Sequence, residues 1–600
     1  MFTSRQKNID LNGTWKFLPD PMQRCRRQKW WKNPPKPNEI FPCWDQEGLW
    51  ETTVPSSWKV EHLELKWYDG HAVYMRDFDA ELPNGHEAFL VFDGVLYSSQ
   101  IYLNGQLVGE HEWGYSPFQL RVTEVLRPNN RLWVLLDNIP RMDRIPGEIH
   151  DWCNDGGITN PVKLIFVPIT HIQNFRTETR LDGNDAVIKV ECWLESRDRS
   201  ATELVTVRIP ELNLEKSITA KTGETAICEF CIPRQQIKLW SPDEPKLYHT
   251  ELSTQFETLV DEIGYREIRT AGRDILLNGE PIRLYGICVH AEFKDTGRTA
   301  TESGIKLIID RAKELGCNFL RCAHYPYPEA WGQALDRAGL LWWEEVPAYW
   351  LPNMHTESQT HRACGMLAEM IRRDWNRASL IFWSVSNECC WRNPENPEEN
   401  NYAYWFKAVP MVRAMDPSRL VSCAEAGNMI SVNPVWIPDN GDEFARAIED
   451  AESWRPGHTD EWYALFDVLA ANLYVSNFGE AAQAYKRFSK MFHAYNKPLI
   501  ISEFGSMSLA GAEVSKEHLG SEERHAAILT EAYEVFAALP EITGYCPWCL
   551  ADIRVPLHWR WYSEGKALFR YGILDENYQP KKAVFNALRS AIAKLKKQIL

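Results

Sequence analysis

IKLIIDRAKELG (305–316) runs into CNFLRCAHYP (317–326), EAWGQALDRAG (329–339) into LLWWEEVPAYW (340–350), and GMLAEMIRRDWNRAS (365–379) into LIFWSVSNE (380–388). The first member of each pair spaces its apolar residues three or four apart, as one face of a helix requires, and the second is a short apolar run. Strands joined through helices lie parallel, so these repeats read as βα units. About 325 residues follow position 275, enough for one (β/α)8 TIM barrel with insertions. A doubly wound sheet is the alternative, but no glycine-rich phosphate loop follows a strand.

Upstream the texture is different. HAVYMRDFDA (71–80), HEAFLVFDG (86–94), SSQIYLNGQLVG (98–109) and NRLWVLLDN (130–138) are short alternating runs, and the Asn-Gly inside the third is a hairpin signal. They predict an N-terminal β-sandwich over 1–170. HIQNFRTETRL (171–181), DAVIKVECWLES (185–196), ATELVTVRIP (201–210) and ETAICEFCIP (224–233) predict a second, immunoglobulin-like β-sandwich over 171–272, which leaves 273–600 for the barrel. VNPVWIPDNGDEFARAIEDAESWRPGHTD (432–460) is too long for a routine βα loop and reads as an excursion over the barrel mouth. KAVFNALRSAIAKLKKQIL (582–600) reads as a closing amphipathic helix.

Composition narrows the function. Lys plus Arg total 66 against 82 for Asp plus Glu, and a formal charge of −16 makes nucleic acid and anionic membrane surfaces poor partners. No apolar stretch approaches a membrane span, and MFTSRQKNIDLNGTWKF carries no signal-peptide core, so a cytoplasmic location is expected. The 15 cysteines show no even framework; Cys228 with Cys231 and Cys546 with Cys549 have CxxC spacing, but neither lies in a thioredoxin-like or zinc-binding context. No metal or cofactor is expected. The 26 tryptophans suit stacking on flat, partly apolar ligands such as sugar rings.

Polar residues at the C-terminal ends of barrel strands face the mouth. Two runs end in acids: LIFWSVSNE in Asn387-Glu388, and KPLIISEFG (497–505) in Glu503. A carboxyl pair on two strands suits glycosidic cleavage, where one group protonates the leaving oxygen and the other attacks the anomeric carbon. Asn387 is placed to meet a sugar hydroxyl, and Tyr474 to donate to Glu503. Glu344 and Glu345, after LLWW, read as partners for arginine, and Arg321 as an orienting or carboxylate-binding group.

LNGTWKF (11–17), VPSSW (54–58), YDG (68–70), FDGV (92–95), IYLNGQLVGEHEWGYSPF (101–118), GGITNPV (156–162), LYGICVHAE (284–292), LGCNFLRCAHYPYPE (315–329), DWNRASLIFWSVSNE (374–388) and ISEFG (501–505) occur in that order over nearly the whole chain. Together they resemble glycoside hydrolase family 2, in its β-glucuronidase and β-galactosidase branch. The resemblance implies that the first domain is a jelly roll of sugar-binding type. It also implies a retaining, exo-acting β-glycosidase with Glu388 as acid/base, Glu503 as nucleophile, Asn387 at the sugar 2-hydroxyl and Tyr474 on the nucleophile. His290, His324 and Trp548 would line the sugar subsite; Asp151 and Trp152, by their position just before the GGI segment, are expected to project from the first domain toward the barrel. A homodimer or homotetramer is a further implication.

Substrate identity is where the pattern breaks. The glucuronidase branch carries an Asn-x-Lys element that grips the sugar carboxylate, whereas KALFRYGIL (566–574) puts Phe569 and Tyr571 there. Arg554, Arg560, Lys566 and Arg570 are the cations nearby that can replace it. A β-D-galacturonide or β-D-glucuronide is the expected substrate, with a neutral galactoside or arabinoside as the alternative. A non-catalytic carbohydrate-binding protein has no need of the acid pair, and a metal-dependent hydrolase would need a ligand set that the spacing does not provide.

Overall fold

The computed structural model describes residues 8–36, 48–350, 354, 356–389, 401–426, 431–432, 455–456, 458–474, 481–512, 514–518, 520–556 and 568–599. They form two β-sandwiches followed by a closed eight-stranded parallel barrel.

In the first sandwich a six-stranded sheet, ordered Trp50–Val54, Gly13–Pro19, His71–Asp79, Asn129–Asp137, Ser98–Leu103, Gln106–His111, faces a four-stranded one. Alternation sends Ile101, Leu103, Leu132, Val134 and Leu136 inward against Leu90, Phe92 and Leu164. The Asn-Gly turn sets the hairpin register: Asn104 and Gly105 both have positive φ, 52° and 84°, as a two-residue turn of this hand requires. The second sandwich packs the sheet of His171–Asp182, Asp185–Glu195 and Thr225–Pro233 on a four-stranded partner. In Thr225–Pro233 exposed and buried residues alternate strictly, so Cys228 points into the core and Cys231 out of it. Every described cysteine is a free thiol, and all but Cys231 are buried.

A three-stranded meander (Ile268–Ala271, Asp274–Leu277, Glu280–Ile282) leads into the barrel, so the expected division at 272/273 falls in its first turn. The barrel strands are β1 (Leu284–Val289), β2 (Phe319–Cys322), β3 (Leu341–Glu345), β4 (Leu380–Asn387), β5 (Leu420–Ala426), β6 (Leu469–Asn472), β7 (Leu499–Glu503) and β8 (Ile542–Tyr545). They pair in parallel in that order and close by β1 against β8 at Leu284 and Gly544. The helices are α1 (Glu302–Leu315), α2 (Glu329–Ala338), α3 (Glu357–Asp374), α4 (Tyr402–Met415), α5 (Asp460–Leu465), α6 (Ala481–Phe492), α7 (Glu522–Phe536) and α8 (Lys582–Ile599).

Local chemistry fixes their ends. Thr301 and Thr356 accept backbone N–H groups at the starts of α1 and α3, and Gly316 ends α1 in the left-handed region. Phe319, Trp343, Phe382, Ala470 and Ile500 fill the barrel interior, which leaves the C-terminal strand ends as the open face. Most of the expected excursion at 432–460 lies outside the described residues.

The first sandwich reaches that face directly. Cys153 N donates to Arg554 O at 2.9 Å, and Asp155 takes Arg298 N at 3.0 Å and the Arg554 guanidinium at 3.3 Å. This anchor carries Asp151 and Trp152, both buried, into the barrel mouth.

Candidate active site

Each acid is held by the strand that ends beside it. Asn387 and Glu388 close β4, where Asn387 N donates to Ala348 O and Glu388 N to Ala424 O, both at 2.8 Å. Glu503 closes β7, and its carbonyl accepts Leu473 N at 2.8 Å. Neighbouring strands thus fix both backbones at one end of the barrel.

Arg321, on β2 and fully buried, is the hub. Its Nη1 donates to Glu503 Oε1 at 2.6 Å; its Nη2 donates to Asn387 Oδ1 at 2.7 Å and to Glu345 at 3.1 Å. Tyr474 Oη donates to the other Glu503 oxygen at 2.7 Å. His324 Nδ1 lies 2.6 Å from Glu345, and its Nε2 lies 3.8 Å from Glu503. Glu388 receives different donors: Trp350 Nε1 at 2.5 Å and Asn472 Nδ2 at 2.8 Å. Asn472 also donates to Asn387 Oδ1 at 3.1 Å and accepts from Ser502 Oγ at 2.7 Å, so it ties the two acid-bearing strands together.

These contacts set the charges. Burial pushes Glu503 up to about 8; the Arg321 guanidinium opposes the rise and the Glu388 charge adds to it. Burial also raises Glu388, against the donations of Trp350 and Asn472. A coupled pair titrates as a unit, and only Glu503 has a cationic donor, so when the pair holds one proton the geometry favours Glu388 as its carrier. For Glu345 burial is outweighed by Arg321, His324 and Ser384, which hold its carboxyl at about 2. Burial lowers His324 to about 4 despite Glu345, so the imidazole beside Glu503 is neutral near pH 7.

An aromatic wall completes the mouth. Trp548 stacks on His324 with ring centroids 5.1 Å apart and meets His290 edge-on at 5.1 Å, while Trp152 lies 5.8 Å from each histidine. His290 Nε2 and Trp548 Nε1 of this wall, and Asp151 Oδ1 beside it, are buried without a protein partner. Burial pushes Asp151 up to about 7 against the Tyr349 hydroxyl. Unpaired buried groups are costly in the absence of a partner, and they are what a hydroxyl-rich ligand can satisfy.

The structure therefore brings together Glu388, Glu503, Asn387, Tyr474, His290, His324, Trp548 and Asp151. Two of the expected cations are ion-paired with acids of the protein. Arg554 is committed to Glu292, at 2.5 Å, and to Asp155. Arg570, also buried, lies 3.4 Å from Asp552 and 3.5 Å from Glu576. Arg560 lies outside the described residues, as does Lys566. Phe569 and Tyr571 pack together at 4.7 Å, with Tyr571 edge-on to Tyr474 at 5.6 Å. Glu344 and Glu345 partner Arg373 and Arg321 respectively. Among the described residues no group of three or more metal-ligating side chains is present, and no helix is long and apolar enough to cross a membrane.

Two donors to Glu388 have no counterpart among the residues expected from sequence. Asn472 is the last residue of a barrel strand, a position that the strand-end rule singles out; Trp350 ends the LLWWEEVPAYW run in a loop, where no periodicity applies.

Tyr474→Phe removes a donor to an ionised carboxylate. A bond of that kind is worth about 1.5–3 kcal/mol, so kcat is expected to fall roughly 10–100-fold. Its loss raises the Glu503 pKa, so the acid limb of kcat/KM moves to higher pH, by about one unit or more. A pH–rate profile that keeps its acid limb in place would separate Tyr474 from the ionisation of Glu503.

Sequence comparison agrees with the architecture. Residues 52–156 match the family model "Glycosyl hydrolase 2 galactose-binding domain-like", 170–266 "Glycosyl hydrolases family 2", and 268–534 "Glycosyl hydrolases family 2, TIM barrel domain". A β-glucuronidase of Paenibacillus borealis is 23% identical over 90% of this chain and 90% of its own. A β-galactosidase of Thermoanaerobacterium thermosulfurigenes is 29% identical over 55% of this chain and 47% of its own. The structure of a GH2 β-galacturonidase from Eisenbergiella tayi bound to galacturonate superposes with a TM-score of 0.82 at 23% identity, covering 98% of each chain, a likeness of fold. With three models of one family matching in succession over more than three quarters of its length, the chain belongs to glycoside hydrolase family 2 and is an O-glycosyl hydrolase.

Proposed function

We propose that the enzyme is a retaining, exo-acting β-glycosidase whose substrates are β-D-galacturonides or β-D-glucuronides. The observation that carries the mechanism is the unequal dressing of the two acids: Glu503 is gripped by Arg321 and Tyr474, Glu388 only by the neutral donors Trp350 and Asn472. An ionised Glu503 is suited to attack the anomeric carbon, and a protonated Glu388 to hand its proton to the departing oxygen. Glu388, now a carboxylate, then takes a proton from the water that breaks the glycosyl-enzyme ester, and Glu503 leaves with its charge restored. Asn387, oriented by Arg321, is the group for the sugar 2-hydroxyl, where a hydrogen bond strengthens toward the oxocarbenium-like transition state. His290, Trp548 and Asp151 offer their unpaired polar atoms to the remaining hydroxyls.

The uronide reading is supported by the relatives that match along most of the chain, which are named for glucuronate and galacturonate chemistry. A second reading, a neutral galactoside or arabinoside, is favoured by Phe569 and Tyr571 and by the commitment of Arg554 and Arg570 to buried acids. The deciding experiment is kcat/KM over a panel of aryl β-D-glucuronide, β-D-galacturonide, β-D-galactoside, β-D-glucoside, β-D-mannoside and α-L-arabinoside. The expected result is preference for a uronide, with Arg560→Ala lowering kcat/KM for it by roughly 10–100-fold, the worth of a charged hydrogen bond. A neutral glycoside as the best substrate would select the second reading, and an NMR time course with the inverted anomer as first product would remove the retaining mechanism.

A further inference from the structure

His290 follows β1 and Tyr325 follows β2, so the two side chains meet at the barrel mouth. His290 Nδ1 lies 3.1 Å from Tyr325 Oη, and His290 Nε2 is buried without a partner among the described residues. Arg298, in the loop between β1 and α1, donates from Nη1 to the same Tyr325 oxygen, with its guanidinium 4.7 Å from the ring centre. Tyr325 Oη has no other hydrogen-bond partner among the described residues.

The first sandwich holds this pair in place. Cys153 O accepts from Arg298 Nε at 3.3 Å, and Asp155 accepts the Arg298 backbone N–H at 3.0 Å; Glu292 of the barrel takes Nη2 at 3.3 Å. Tyr115 of the same sandwich stacks on the Tyr325 ring with centroids 4.8 Å apart, and Trp152 lies 5.7 Å from it. Arg298 and Tyr325 are both buried.

Proton counting then decides the state of the histidine. A guanidinium only donates, so Tyr325 Oη accepts from Arg298 and has a single proton of its own to place. The acceptor in reach is His290 Nδ1. Were Nδ1 to carry the ring proton, two donors would face the phenol oxygen and the phenol proton would be buried without an acceptor, which costs free energy. With the phenol donating to Nδ1, a neutral imidazole has its proton on Nε2. The ring is neutral because burial holds its pKa well below the usual histidine range, and His324, Arg298 and Arg321 push the same way.

We infer that Arg298 and Tyr325 are positioning residues that lock His290 in the Nε2–H form, so that it meets the substrate as a hydrogen-bond donor. This rests on the reading that His290 faces the sugar. Trp548 Nε1, on the ring edge-on to His290 at 5.1 Å, is a second unpartnered donor, so both atoms call for accepting oxygens on the sugar. The hold of Cys153 and Asp155 on Arg298 makes the first sandwich part of the lock.

The test is a double-mutant cycle on the full chain, read as kcat/KM for the aryl glycoside that the substrate panel ranks first. His290→Ala is expected to lower kcat/KM roughly 10–100-fold, and Tyr325→Phe, which keeps the ring and its stacking, about 3–10-fold. In the His290→Ala background Tyr325→Phe is expected to change kcat/KM by less than about twofold, because the phenol acts through the imidazole. Thermal unfolding reports the folding of the variants. Heteronuclear NMR of enzyme isotopically labelled in its histidine nitrogens reads the proton directly: the resonances absent from His290→Ala are expected to be a protonated Nε2 and a bare Nδ1, and in Tyr325→Phe a share of Nδ1–H is expected to appear. An unaffected kcat/KM in His290→Ala would remove the histidine from the sugar subsite and the lock with it. A large loss in His290→Ala, combined with a Tyr325→Phe that is silent or that multiplies fully with it, would overturn the lock alone and leave the subsite reading standing, as would a protonated Nδ1 in the wild type.

Discussion

Glu503→Ala is expected to lower kcat on aryl glycosides by a factor on the order of 10⁴ or more, the scale at which removal of a covalent nucleophile is felt. Sugar binding is expected to persist, because the aromatic wall and the hydroxyl-facing atoms remain. The vacated space lies beside Arg321, a buried cation stripped of one of its two carboxylate partners, so a small anion such as azide has both room and a counter-charge there. Azide is expected to restore turnover in Glu503→Ala and to give a glycosyl azide of inverted configuration, having attacked from the face where Glu503 stood. Glu388→Ala is expected to behave differently. Its glycosylation step slows most for poor leaving groups, which need the proton, and least for dinitrophenyl glycosides, which do not. The basic limb of its pH profile disappears, and azide attacks the glycosyl-enzyme in place of water to give the retained configuration. NMR of the two azide products distinguishes the roles, and exchanged configurations would exchange the assignments of Glu388 and Glu503.

The sequence carried the barrel because period-3.6 and short apolar runs alternate without ambiguity from 305 to 388, and it carried both acids because each ends such a run. Asn387 and Tyr474 were legible for the same reason, being adjacent to or just past a strand end. The environment of the acids was not. Arg321 binds Glu503 across 182 residues and Asp155 meets Arg554 across 399, and no local pattern encodes such pairings. The uronate clamp shows the consequence. Arg554 and Arg570 are candidate clamps by sequence position, and the fold pairs them with Glu292 and Asp552, which lie far from each other in sequence. A charge in a sequence is a candidate ligand only until its partner is known.

Arg321→Met is expected to be among the most destabilising single substitutions in the barrel. Arg321 and Glu345 are both fully buried, and Glu345 is ionised because Arg321 and His324 stand beside it. Removing one member of a buried ion pair leaves an uncompensated charge and costs about 3–5 kcal/mol. Urea or thermal unfolding measures the loss. Its pH dependence has a definite sign: the folded-state pKa of Glu345, about 2, is depressed below the ordinary carboxylate value, so the contribution of the pair is present above that value and fades as pH falls toward 2. The stability gap between wild type and Arg321→Met is therefore widest at neutral pH and narrows in acid. Adding Glu345→Gln removes the stranded charge and is expected to return a good part of the stability, as a double-mutant cycle would record. It is not expected to return activity, because Glu503 still lacks the cation that opposes its protonation and Asn387 the donor that orients it. A loss of roughly 10²–10³ in kcat, the scale for one preorganised electrostatic contact, should remain in the repaired protein. That split assigns Arg321 two separable duties, neutralising Glu345 for the fold and holding Glu503 ionised for attack; recovery of both stability and turnover in the double variant would reduce it to the first alone.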